Sequence, residues 1–161
     1  MIFTGYKFRG KHATYAKFLA TERGSEREDG LNVFIRVLDV YMVSAVMGIM
    51  YGKRSQIDES NSDTSDIQAQ AMIKEQEQLM YLYRLILLCD ESSGLSEQEK
   101  ISRAFKTDGD EDAVRKNLVL FNSYVLGGIE ILYERFKDCY GNDSEIFDEI
   151  LDFAQSFRTD L

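Results

Sequence analysis

Apolar positions along this chain recur mostly every three or four residues, the period of a helix with one buried face. Lys11 to Glu22 places Tyr15, Phe18, Leu19 and Glu22 at i, i+3, i+4 and i+7, which predicts a first helix. Leu31 to Tyr51 is apolar on nearly every side, broken only by Asn32, Arg36, Asp39 and Ser44, and predicts a second helix at the centre of a bundle. Arg36 and Asp39 are spaced to meet on one face of it. Gly52 followed by Lys53 and Arg54 reads as its stop, with glycine for a left-handed cap and cations for the helix dipole. A third helix is predicted from a capping Asp66 to Asp90, polar in its first half and apolar from Leu79 to Cys89. Ser96 and Glu99 form a capping-box pattern that opens a short fourth helix with Ile101, Ala104 and Phe105 inward. The fifth helix, Ala113 to Cys139, carries the stripe Leu118, Phe121, Val125, Ile129, Leu132 and Phe136, and Asp110, Glu111 and Asp112 precede it at the positive end of its dipole. Ser144 to Arg158 predicts a last helix through Ile146, Ile150, Leu151, Ala154 and Phe157.

The intervening segments are short. Ile2 to Phe8 reads as a short strand or extended arm, with Gly5 and Gly10 as flexible points. Arg23 to Gly30 and Gly141 to Asp143 read as connections, and Ser55 to Asp66 as a mobile acidic loop with little to bury. That loop lacks the central glycine and terminal glutamate of a calcium-binding loop. With no repeat and no boundary in view, the reading is an all-α single domain over residues 1–161, a bundle of about six helices with an extended arm at 1–10. Gly127 and Gly128 in mid-helix, together with Gly48, are expected to permit close helix packing.

Composition sharpens this picture. There is no proline, where ordinary usage would give roughly 8 in a chain this long, which favours long helices. The net charge of −9 opposes non-specific contact with nucleic acid or anionic membrane. One segment runs against it: Lys7, Arg9, Lys11, His12 and Lys17, interleaved with Tyr6, Phe8 and Tyr15, is net basic, and Lys53 and Arg54 could join it in space. Cations among aromatics suit phosphate contact and base stacking, so these seven residues are the candidate nucleic-acid-binding set. The competing reading is a solvated first helix whose aromatics face the core.

Reactive constellations are scarce. His12 is the single histidine, expected at the surface beside Lys11, and no Gly-x-Ser-x-Gly elbow, phosphate loop or Glu-x-x-His pair occurs. Met47 to Arg54 carries glycines and cations but at the carboxyl end of a helix, where phosphate is disfavoured. Cys89 and Cys139 stand apart and read as reduced cysteines of a cytoplasmic protein. The first residues lack the apolar core of a signal peptide, and the longest uncharged apolar run, Val40 to Tyr51, is far short of the about 20 residues of a membrane span. No catalytic residue, cofactor, metal or membrane contact is expected.

Three stretches carry a resemblance. They are Asp39 to Gly48 with Gly52-Lys53-Arg54 following, Tyr83 to Leu88, and Asn122 to Leu132. In order and spacing they resemble the small helical proteins that accompany bacterial DNA phosphorothioation systems in anti-phage defence islands. The resemblance implies a bacterial, DNA-linked setting and supplies no catalytic residue. The resulting expectation is a non-enzymatic accessory or adaptor protein that binds a partner protein, with DNA contact through the basic segment as a further element. Two other readings stay open. One is a homo-oligomerisation module built on the polar half of the third helix and the aromatic last helix. The other is a metal-dependent enzyme using acidic residues.

Overall fold

The computed structural model describes residues 1–20, 33–139 and 143–159. The expected loop at 23–30, the first residues of the expected second helix and the turn residues Gly141 and Asn142 lie outside them. Among the described residues there are seven helices and one two-stranded sheet: β1 (Tyr6–Arg9), α1 (Lys11–Leu19), α2 (Val37–Met50), β2 (Thr64–Ile67), α3 (Ala69–Lys74), α4 (Gln76–Cys89), α5 (Glu97–Phe105), α6 (Glu111–Phe136) and α7 (Asp143–Thr159). The chain is predominantly helical, as its periodicity predicts.

The core is organised by α2 lying along α6. Two backbones can approach this closely only where side chains are missing. A Cβ on Gly48 would come within 2.6 Å of the Tyr124 carbonyl carbon, and one on Gly128 within 2.6 Å of the Ser44 carbonyl carbon. At Gly127 the obstruction would be the Lys53 carbonyl, because the chain leaving α2 crosses α6 there. That exit is set by Gly52, which adopts φ 59. The Lys53 amide then donates to the Gly48 carbonyl at 2.8 Å and the Gly52 amide to the Ile49 carbonyl at 3.2 Å, the paired bonds of a Schellman cap. Around the crossing, Tyr41, Met47, Phe121, Val125, Ile129 and Leu132 are buried.

The arm is a strand. β1 pairs antiparallel with β2 in the register Tyr6 with Ile67, Lys7 with Asp66, Phe8 with Ser65 and Arg9 with Thr64. Alternation sends Phe8, Ser65 and Ile67 inward and Lys7, Arg9, Thr64 and Asp66 outward. This corrects the start of the expected third helix. Residues up to Ile67 are extended because β1 offers a ladder partner, and the helical part divides into α3 and α4 at Glu75, whose carboxylate bonds Arg36 of the α2 entry at 3.0 Å. The rest of the expected mobile loop makes specific contacts. Asp58 accepts from the Lys11 amide at 2.6 Å, standing in for the side-chain cap that Gly10 cannot supply at the start of α1, and Asp63 holds Thr14 and Lys17.

Several other expectations shift. Residues 33–36 are not helical: the Phe34 amide bonds the Leu19 carbonyl at the end of α1, so α2 begins at Val37. The buried face of α1 is His12, Ala13, Ala16 and Leu19, one position round from the expected stripe. In α5, Lys100 and Ala104 face inward while Ile101 and Phe105 are exposed. Lys100 is tolerated there because its ammonium reaches Glu91 at 2.6 Å, and Phe105 is partly covered by the Arg84 guanidinium. The capping box at Ser96 and Glu99 and the Arg36–Asp39 pair are as the sequence predicts, whereas α6 starts at Glu111 rather than Ala113, with the Asp110 side chain as its cap.

Gly128→Ala should destabilise the protein by about 2–3 kcal/mol, because the added methyl meets rigid backbone. Gly109→Ala, in open space, should be neutral or slightly stabilising. Urea denaturation of the two variants against the parent checks both.

Candidate functional site

Three of the basic residues singled out from the sequence, Lys11, His12 and Lys53, converge on a carboxylate that sequence reasoning did not single out. Glu130 sits on α6, one position beyond the buried Ile129. Its Oε1 accepts from Ser55 Oγ at 2.7 Å, His12 Nε2 at 2.9 Å and Lys11 Nζ at 3.0 Å, and its Oε2 from Lys53 Nζ at 3.1 Å. Burial by itself pushes the Glu130 carboxyl up. The donors from Ser55, His12, Lys11 and Lys53 outweigh it and bring the carboxyl down to about 2 from 4.5. His12 is fully buried rather than at the surface, a correction that follows from its place on the core face of α1. Its pKa is lowered, chiefly by that burial, against the opposing pull of Glu130. Beside it Tyr15 stacks on Tyr133 with ring centroids 3.8 Å apart.

A second buried carboxylate anchors the far side of the same segment. Asp90, at the end of α4, accepts from Tyr124 Oη at 2.7 Å, Arg103 Nη2 at 3.1 Å, Ser92 Oγ at 2.5 Å and Ser93 Oγ. Burial raises it, and those donors hold it well below the ordinary carboxylate value. Arg54 lies over the Tyr124 ring and donates to Ser92 and Ser123, while the Ser55 amide donates to the Ser123 carbonyl at 2.9 Å. Lys53, Arg54 and Ser55 therefore strap α2 to α6 between two charged anchors.

The remaining candidates are spread out. Lys7 pairs with Asp66 at 3.4 Å, Lys17 pairs with Asp63, and Arg9 projects from the exposed face of β1. Lys11, His12 and Lys53 are thus brought together, whereas Lys7, Arg9, Lys17 and Arg54 are not part of that cluster. The one sequence signal for Glu130 is an acid inside the apolar run Tyr124 to Leu132, and for Asp90 the following Ser92-Ser93-Gly94 turn.

Ser55 and His12 each donate to the same carboxylate oxygen, so the imidazole is not placed to take a proton from the hydroxyl, as a nucleophile–base pair requires. Among the described residues no group of three His, Cys, Asp or Glu side chains converges to hold a metal ion, and no helix is long and apolar enough to cross a membrane.

What the polar clusters leave over is apolar and outward. On α7, Ile146, Glu149 and Phe153 face α6, where Arg135 bonds Glu149 at 2.9 Å and lies over the Phe153 ring. A second stripe, Phe147, Ile150, Leu151 and Ala154, points to solvent, with Phe147 66% exposed. This corrects the expected inward stripe of the last helix: of Ile146, Ile150, Leu151 and Ala154, only Ile146 packs on the core. Between α2 and α4 runs a groove of about 460 Å³ lined by Met42, Val43, Val46, Glu77, Gln78, Tyr81 and Leu82.

Fold and surface together describe a small helical protein whose two charged clusters brace its own chain and whose α7 and α2–α4 surfaces expose apolar side chains. The chain belongs to the family of DNA sulphur modification system-associated protein 4, whose model matches residues 15–160. That match spans all three stretches that carry the resemblance to phosphorothioation accessory proteins. No curated protein and no solved structure matches the chain.

The Glu130 cluster has a definite pH signature. Its folded carboxyl lies below the unfolded value, so it contributes stability above pH 4.5 that is lost as pH falls toward 2, on the order of 3 kcal/mol in all. Neutral buried His12 acts in the same direction as pH falls through 6.5. Glu130→Gln should lower stability at neutral pH and flatten its fall between pH 4.5 and 2, measured by urea unfolding at successive pH values. An unchanged slope would mean that these donors do not hold the carboxylate.

Proposed function

We propose that this chain is a non-enzymatic accessory protein of a DNA sulphur modification system and works by binding another protein of that system through the outward face of α7. The observation that carries this reading is the solvent-facing stripe of Phe147, Ile150 and Leu151. A contiguous apolar ridge left in water is a feature of interaction surfaces, and its i, i+3, i+4 spacing is that of a helix that docks in a groove. The ridge is bordered by exposed Glu145, Asp148 and Asp152, so the matching partner carries an apolar groove rimmed by lysine or arginine. Family membership supports the setting, since a system-associated protein has system components as neighbours. The bacterial, cytoplasmic and antiviral-defence context implied by the resemblance belongs to the same proposal.

DNA contact is the second element. Lys7 and Arg9 project side by side from the exposed face of the β1–β2 ribbon, and Lys11 and Lys53 stay partly exposed beside Glu130. His12 has no surface to offer, and Lys17 and Arg54 would first have to leave Asp63 and the Ser92–Ser123 pair.

Co-expression with each component of the sulphur modification system should recover a complex with the parent chain, and Leu151→Asp should abolish it while circular dichroism stays unchanged. Equal recovery of the variant would remove α7 from the reading. For DNA, the triple alanine variant at Lys7, Arg9 and Lys11 should bind duplex more weakly and with a shallower salt dependence. Unchanged affinity across a salt series would retire the DNA element.

A further inference from the structure

Val119, Asn122, Ser123 and Leu126 follow at i, i+3, i+4 and i+7, so they form one face of α6. The strap after α2 is bonded to that face, and Tyr6 of β1 stands beside it. Together they line a cavity of about 730 Å³, within the roughly 300–1,000 Å³ of small-molecule sites. The polar atoms that reach the cavity are donors left over from internal bonding. Arg54 spends Nε on Ser123 Oγ at 2.9 Å and Nη1 on Ser92 Oγ at 2.8 Å, and its Nη2 remains free. Both partners are neutral hydroxyls, and among the described residues no carboxylate pairs with this guanidinium. Asn122 Oδ1 accepts from Tyr41 Oη at 2.8 Å, so its amide nitrogen is the unspent end. Tyr6 Oη makes no hydrogen bond among the described residues, and burial pushes the phenol up, so it stays a neutral donor.

No aspartate or glutamate lines this cavity, although the protein carries −9. The acids bonded to the strap face elsewhere: Glu130 and Asp90 are satisfied by their own donors, and Asp58 bonds the Lys11 amide and Ser60. We propose that the cavity binds a small organic acid, with its carboxylate or phosphate monoester on Arg54 and its apolar body against Leu126, Ile57 and Val119. Such a ligand supplies what the site lacks, which is negative charge and hydrogen-bond acceptors. Two serines and the Tyr124 ring, 5.7 Å away, already fix the guanidinium, so binding costs it little side-chain freedom. Asn122 and Tyr6 donate to further ligand oxygens. Val119 and Ile57, 69% and 60% exposed, gain cover from an apolar body that a bare inorganic anion does not have. DNA lying on the β1–β2 ribbon would have to draw Arg54 away from its serines, whereas a small acid inside the cavity meets it where it stands. The site is separate from the α7 ridge.

Titration of the full chain with phenyl phosphate, benzoate, benzyl alcohol and inorganic phosphate, followed by amide NMR shifts, tests this. Phenyl phosphate or benzoate should saturate at millimolar concentration or below, with shifts at Arg54, Asn122 and Ser123, and the tighter of the two names the acid group. Benzyl alcohol and inorganic phosphate should each bind about tenfold more weakly or worse. Asn122→Asp keeps an acceptor for Tyr41 and sets a carboxylate against the ligand, so it should weaken binding about tenfold or more. Tyr6→Phe removes one hydroxyl and should weaken it several-fold, which keeps the test open if Asn122→Asp fails to fold. Lys74→Ala, which removes an exposed cation on α3, should leave affinity unchanged and so exclude a mere effect of net charge. Failure of both acids to saturate, equal binding of benzyl alcohol or of inorganic phosphate, or parental affinity in the folded Asn122→Asp and Tyr6→Phe variants would each overturn the proposal.

Discussion

Everything in this protein hangs on how closely α2 can approach α6. Helices carrying ordinary side chains pack 8–10 Å apart. Here the absence of a Cβ at Gly48 and Gly128 lets the backbone of one helix rest against the carbonyls of the other. Glycine in a helix interior costs about 1 kcal/mol relative to alanine, so three of them are a local sacrifice recovered in the burial of Tyr41, Met47, Phe121 and Val125 around the crossing. The crossing also fixes the exit of the chain from α2, because the Schellman turn at Gly52 delivers Lys53, Arg54 and Ser55 directly over Gly127.

That strap explains the placement of the charged residues. A buried Asp90 and a half-buried Glu130 would be costly without partners. Glu130 and Asp90 are each surrounded by donors from elements distant in sequence: α1, the strap, α5 and α6. A buried charge with its partners assembled is expensive to break even where its net contribution is small. The clusters therefore make the relative positions of α1, the strap, α4 and α6 an all-or-none property. The β1–β2 ribbon extends the same logic, with Asp58 and Asp63 holding the junction of β1 and α1.

Outside the two bracing clusters, apolar side chains are exposed on α7 and between α2 and α4. The α7 ridge keeps an acidic border, while the α2–α4 groove is lined chiefly by apolar side chains with Glu77 among them.

Local pattern determined that the chain folds as helices, where most of them run, how α5 is capped, and that the three glycines stand where helices could meet, because these are local properties of spacing and side-chain type. The sequence grouped seven basic residues, of which the fold brings Lys11, His12 and Lys53 together. What local pattern could not carry was the partner of each group. His12 looks like a surface residue until α1 rotates by one position toward the core. Thr64 to Asp66 reads as a loop and a helix cap until β1 offers a ladder. Glu130 is one acid in an apolar run until Lys11, His12, Lys53 and Ser55 arrive from separate elements. Pairing energies of that kind depend on distances between residues far apart in the chain, and only the folded arrangement sets those distances.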